Sequence, residues 1–114
     1  RYRFAPEPAK QIYDTLNPAT KWMRPSDLPL NEEDDFAIVG RFHSNLTDNQ
    51  VVLIAGISKN GTQAAAQFVT TPQSMDLLNQ RSGDWASKNV EVVLKVKVID
   101  GQDEATSVEA VYVW

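Results

Sequence analysis

The sequence predicts an α/β domain, a mixed sheet with antiparallel edges around one central strand–glycine loop–helix unit. Three stretches predict it. Val51–Val69, VVLIAGISKNGTQAAAQFV, runs from an unbroken apolar segment through a glycine-bounded loop into a small-residue helix. Phe36–Phe42, FAIVGRF, reads as a strand with Phe36, Ile38 and Phe42 on one face. Val90–Ile99, VEVVLKVKVI, alternates with period two, putting Val92, Leu94, Val96 and Val98 on one side.

In chain order, Tyr2 and Phe4 share a face within Arg1–Phe4 and suit a short edge strand. Residues 1–34 are expected to form a proline-rich arm packed on a core spanning 35–114. Prolines 6, 8, 18, 25 and 29 argue against a long helix or a central strand there, with at most a short extended piece around Gln11–Tyr13. Ile12, Tyr13, Trp22 and Met23 are its expected anchors. The acidic run Asn31–Asp35, NEEDD, reads as a solvated loop, since it lacks the spacing of a calcium loop. His43–Gln50 is rich in turn formers and joins Phe36–Phe42 to the next strand as a hairpin.

Val51–Ala55 lacks alternation, as a strand buried on both faces would, and is expected at the centre of the sheet. Gly61 opens a helix over Thr62–Val69, whose alanines at 64, 65 and 66 allow close approach to the sheet. Thr71 can cap a second helix, with Pro72 in its first turn, running to about Gln80. After a loop at Arg81–Asn89, Val90–Ile99 is expected to return parallel to Val51–Ala55 by a right-handed crossover. A hairpin loop at Asp100–Glu104, turning at Gly101, leads to Thr106–Trp114, with Val108, Ala110, Tyr112 and Trp114 on one face.

At 114 residues the chain is one domain, with an ordinary 42% apolar and 23% charged composition. A net charge of -4 without a basic stripe argues against a direct nucleic-acid partner. The absence of cysteine excludes disulfides, thiolate metal sites and a cysteine nucleophile, but assigns no compartment. No apolar run is long enough for a membrane span. A start at Arg1, already strand-like, reads as a processed chain or a cut from a longer protein.

The loop Gly56–Thr62 is the candidate ligand site, with Gly56, Ser58, Lys59, Asn60, Gly61 and Thr62 as its residues. A loop leading from a strand into a helix N-terminus converges backbone N–H groups and suits a small anionic or nucleotide-like ligand. Gly56 and Gly61 have the spacing of a phosphate-binding loop, but Thr62 and Gln63 stand where that motif needs Lys and Ser or Thr. Ser58 lacks a GxSxG elbow, and the single histidine, His43, is an expected surface residue. The residues therefore indicate no enzyme, no cofactor and no metal.

The stretches Asp35–Val39, Leu53–Gly56, Gly61-Thr62, Ala64–Thr70 and Val98–Gly101 together resemble a Rossmann-like α/β domain found in acidobacterial and other bacterial proteins. The resemblance covers about residues 35–114, as the C-terminal half of that larger domain. It implies a Rossmann-like half domain in a regulatory or sensing setting. It further implies an upstream half with its own glycine segment, preceded by a helical, DNA-binding or membrane module, and no known catalytic residues. The leading expectation is thus a non-catalytic ligand-sensing module. The alternative is a structural or assembly subunit, self-associating or binding a partner protein. Its contacts would be the edges of Val90–Ile99 and Thr106–Trp114, together with Trp114 and the arm.

Overall fold

The computed structural model describes residues Arg1–Trp114. Each of the first five prolines lies between strands. Pro6 and Pro8 separate β1 (Tyr2–Phe4) from β2 (Gln11–Asp14), and Pro18 separates β2 from β3 (Lys21–Met23). Pro25 and Pro29 precede β4 (Glu32–Ser44). The proline-rich segment is therefore a small antiparallel sheet of order β1-β2-β3, with β2 in its middle. Proline removes a donor where no ladder bond is needed, so it delimits the strands rather than preventing them. Arg1 clasps the buried Asp14 by Nε and Nη2 at 2.8–3.1 Å, which holds that carboxyl below the usual range.

A hairpin joins β4 to β5 (Asn49–Gly56), and α1 (Lys59–Thr70) and α2 (Pro72–Arg81) follow. A short 3₁₀ turn at Trp85–Ser87 leads to β6 (Val90–Ile99) and β7 (Gln102–Val113). The second sheet has the order β5-β4-β6-β7, and all its pairings are antiparallel.

This corrects the Rossmann-like expectation. Strands make up 46% of the chain and helices 22%, in two antiparallel sheets with only two α-helices. β4, not β5, is central. β6 runs in the same direction as β5, but β4 lies between them, so no parallel pair forms. The acidic run is also strand rather than loop, since β4 begins at Glu32.

β4 and β6 carry the core on both faces. On one face Ala37, Val39, Val92 and Leu94 pack with Ala65 and Phe68 of α1 and Leu78 of α2. On the other, Phe36, Ile38 and Val93 pack with Tyr2 and Ile12 of the small sheet. The molecule is thus layered as helices, four-stranded sheet and three-stranded sheet. Burying each large apolar side chain contributes about 1.5–3 kcal/mol.

Two local expectations change. Thr71 precedes α2 but makes no side-chain cap; its hydroxyl donates to the Gln67 carbonyl at 2.6 Å and finishes α1. Opposite Val93 and Leu94 of β6, β7 carries Glu109 as an extra residue, so Val108, Val111 and Val113 join the helix-side core while Ala110 and Tyr112 face the small sheet. The extra residue flips the alternation, as a bulge does.

Candidate functional site

Only Ile57 and Ser58 separate β5 from α1. The Ile57 N–H extends the β4–β5 ladder to the Phe36 carbonyl at 2.9 Å, and Thr62 N–H closes the first helical turn on the Ser58 carbonyl at 3.1 Å. The Gly56 N–H donates to Thr62 Oγ1 at 3.0 Å, and that hydroxyl donates to the Ser58 carbonyl at 3.2 Å. A Cβ on Gly56 would stand 2.2 Å from Thr62 N, and one on Gly61 would stand 2.7 Å from the Phe36 carbonyl oxygen. Both glycines are there for close backbone approach.

Ser58 occupies the N-cap position, but its side chain makes no capping bond to the helix. Its hydroxyl donates to Asp35 Oδ2 at 2.5 Å, and the Gly61 N–H donates to the same oxygen at 2.7 Å. Asp35 Oδ1 accepts the Phe36 N–H at 2.9 Å, and the residue is fully buried. A carboxylate at a helix N-terminus satisfies orphan amides and complements the helix dipole. Here it arrives from β4, from the end of the acidic run. The chain's own Asp35 takes the Gly61 amide that an anion at this turn would use, and an anion placed beside it would meet its charge. Of the six loop residues singled out from the sequence, Gly56, Ser58, Gly61 and Thr62 are engaged in this internal network. Lys59 is exposed and Asn60 half-buried.

Asp103 lies near this network on β7, paired with Val98. Both of its carboxyl oxygens are shielded and lack a hydrogen-bond partner. Burial, and secondarily the charge of Asp35, raises its pKa above the ordinary Asp value. The folded state then holds this proton more tightly than the unfolded chain. Stability is accordingly expected to fall as pH rises from the ordinary Asp range through the raised value. Thermal unfolding of Asp103→Asn across that range should lack this descent and should exceed wild type at neutral pH; parallel curves would show that Asp103 does not titrate in the window.

The structure opens a different surface along β5. Adjacent residues of an antiparallel strand send their N–H and C=O groups to opposite sides. Ile57 bonds to β4 and Gly56 points away to Thr62, which fixes the parity. Val51, Leu53 and Ala55 therefore bond to β4, and Gln50, Val52 and Ile54 present theirs to an unpaired edge. Val52 is 59% exposed, Leu53 42% and Ile54 37%. On the small-sheet side, an apolar groove of about 790 Å³ adjoins this edge, lined among others by Phe4, Tyr13, Ile38, Phe42, Leu53 and Trp114.

No protein-family model, no curated protein and no solved structure matches the chain. Function has to be argued from these surfaces. A second cavity, of about 410 Å³, lies beside Arg41, His43 and Lys88. Its polar side chains are already engaged: Arg41 donates to the carbonyls of Trp85, Ala86 and Lys88, Lys88 pairs with Asp84, and His43 Nε2 lies 3.1 Å from Asp48 Oδ1. No group of three or more His, Cys, Asp or Glu residues is placed to hold a metal ion. No helix is long and apolar enough to cross a membrane.

The sequence placed β5 at the centre of the sheet, and so hid its open edge, because apolar content signals burial without saying against what. The signal for Asp35 was present: it continues the inward alternation of Ala37 and Val39 by one step.

Proposed function

We propose that the chain is a non-catalytic association module that takes an extended segment of a protein partner as an additional strand on β5. The observation carrying this reading is the exposed apolar edge, with three residues of aligned, unpaired backbone groups beside an apolar groove. Strand addition of this kind draws affinity from main-chain hydrogen bonds and specificity from alternate side chains. The loop Gly56–Thr62 serves here as a self-capped turn that fixes the end of the strand.

The edges expected from sequence are poorly suited to the task. β6 is internal. β7 is an edge, but two register shifts distort it, and Arg81 of α2 covers it by donating to the Val108 and Glu109 carbonyls at 2.8 and 3.0 Å. Bulges, charges and covering groups are how sheet edges avoid pairing.

A fluorescent, end-capped peptide alternating Val and Thr is the probe. It should bind the wild-type chain saturably, and Val52→Pro should abolish binding while leaving the circular dichroism unchanged. Proline is tolerated where a strand N–H faces away from the ladder. Leu53→Pro, whose N–H bonds to β4, should instead disrupt the fold. Failure of the peptide to bind, in a chain that also forms no strand-mediated complex, overturns the reading.

A further inference from the structure

We infer that the strand β5 receives is β5 of a second copy, paired antiparallel across a two-fold axis at Val52. This rests on the strand-addition reading above and names its partner. Ten consecutive residues, Asn49–Ser58, carry no charge, and the charges that bracket them are opposite: Asp48 before and Lys59 after. Both are exposed.

The axis is fixed by which backbone groups are free. Gln50, Val52 and Ile54 point outward, whereas the Gly56 N–H is already taken by Thr62. Placing the axis at Val52 sets Gln50 opposite Ile54 of the second copy, and Val52 opposite itself. The free groups of all three residues are then used, and none is asked of Gly56 N–H. Two-fold interfaces are isologous, so one strand supplies both sides.

The same axis orders the charges. It sets Asp48 opposite Gly56 of the second copy, close to where that copy's Lys59 begins α1, and this occurs at both ends. A parallel pairing would set Asp48 against Asp48 and Lys59 against Lys59. Asp48 also meets its own His43 at 3.1 Å, an exposed contact that leaves its carboxylate open to solvent. The contrast between the two edges of this sheet supports the assignment. Arg81 covers the carbonyls of β7, and nothing comparable lies along β5. An uncharged, regular apolar edge is matched by another of the same kind, and β5 itself is one.

A single strand pair with the groove margins joins an area near the small end of specific interfaces, below about 1,200 Å², so the dimer is reversible. Sedimentation velocity of the full chain from micromolar to millimolar concentration should show a monomer–dimer equilibrium. Val52→Pro should weaken it by about 10- to 100-fold, the effect of removing two symmetry-related hydrogen bonds and the surrounding fit. Lys59→Glu, on an exposed helical position, should weaken it too, and adding Asp48→Lys should restore it. Lys10 already holds positive φ in this chain, as Asp48 does, so lysine is admissible there.

Dimerisation unaffected by Val52→Pro and by Lys59→Glu overturns the inference. A strict monomer that still binds the Val–Thr peptide overturns the second-copy assignment and leaves strand addition standing. A strict monomer that binds no peptide overturns both. Loss in Lys59→Glu with rescue in the double variant supports the antiparallel two-fold even where Val52→Pro folds poorly.

Discussion

Replacing Asp35 with alanine should lower the melting temperature by roughly 10–20 °C, or abolish folding at physiological temperature. Three donors lose their acceptor together: the Ser58 hydroxyl and the Gly61 and Phe36 amides. Each buried group left unsatisfied costs about 1–3 kcal/mol, and the bonds lost here are to a charged acceptor. The sum, about 3–9 kcal/mol, is a large part of the 5–15 kcal/mol that typically holds a domain together. Asp35→Asn separates charge from geometry. Its carbonyl oxygen can take the place of Oδ2 for Ser58 and Gly61, but its amide then faces the Phe36 N–H, donor against donor. It should fall between wild type and alanine in thermal unfolding. A wild-type melting temperature in Asp35→Ala would show that water replaces the carboxylate. Removing the charge also removes one of the two causes of the raised Asp103 pKa, so the pH descent assigned to Asp103 should shrink in Asp35→Asn.

The parts of the fold that were legible are those where one physical signal has one structural meaning. β6 was readable because Val92, Leu94, Val96 and Val98 face the helices while Glu91, Lys95 and Lys97 face the other way, with Val93 the one buried exception, and period two can be read without knowing the neighbours. The alanines at 64, 65 and 66 were readable as the side of α1 that approaches the sheet, and 64 and 65 are buried there while Ala66 is half-buried. β5 was not. Its unbroken apolar run is what a central strand needs, and equally what an edge needs when its partner is another chain. Local sequence does not distinguish the two. The register shift in β7 was invisible because no glycine or proline marks it. The small sheet was obscured by prolines whose spacing, rather than number, was the information. Asp35 was concealed by its neighbours: in a run of four acids, Glu33 and Asp35 share the parity of Ala37 and Val39, and only Asp35 lies beside the first turn of α1, where the Gly61 amide meets it.

Gly56→Ala should be more damaging still and should prevent stable folding. The added Cβ would lie 2.2 Å from Thr62 N, 2.5 Å from the Gly61 carbonyl carbon and 2.7 Å from the Ser58 carbonyl oxygen. All three are backbone atoms, so no side-chain rotation relieves the contact, and the first turn of α1 would have to move off the strand. That movement breaks the Gly56–Thr62 bond and carries Gly61 away from Asp35, so the two costs compound. Gly61→Ala meets the Phe36 carbonyl oxygen at 2.7 Å and Asp35 Oδ2 at 2.9 Å, contacts on the opposite side of the same turn. It should lose at least about 3 kcal/mol, as expected when an overpacked site also breaks a buried network. Gly83, whose added Cβ would meet nothing within 4 Å, is the control: Gly83→Ala should leave the melting temperature within a degree or two of wild type. Urea unfolding of the three variants distinguishes a loop built for packing from one built for a ligand. A turn held open for an anion would tolerate the methyl groups in the free protein and lose only binding. The geometry instead requires both glycines before any partner arrives, because every atom that an added Cβ would meet belongs to the chain itself.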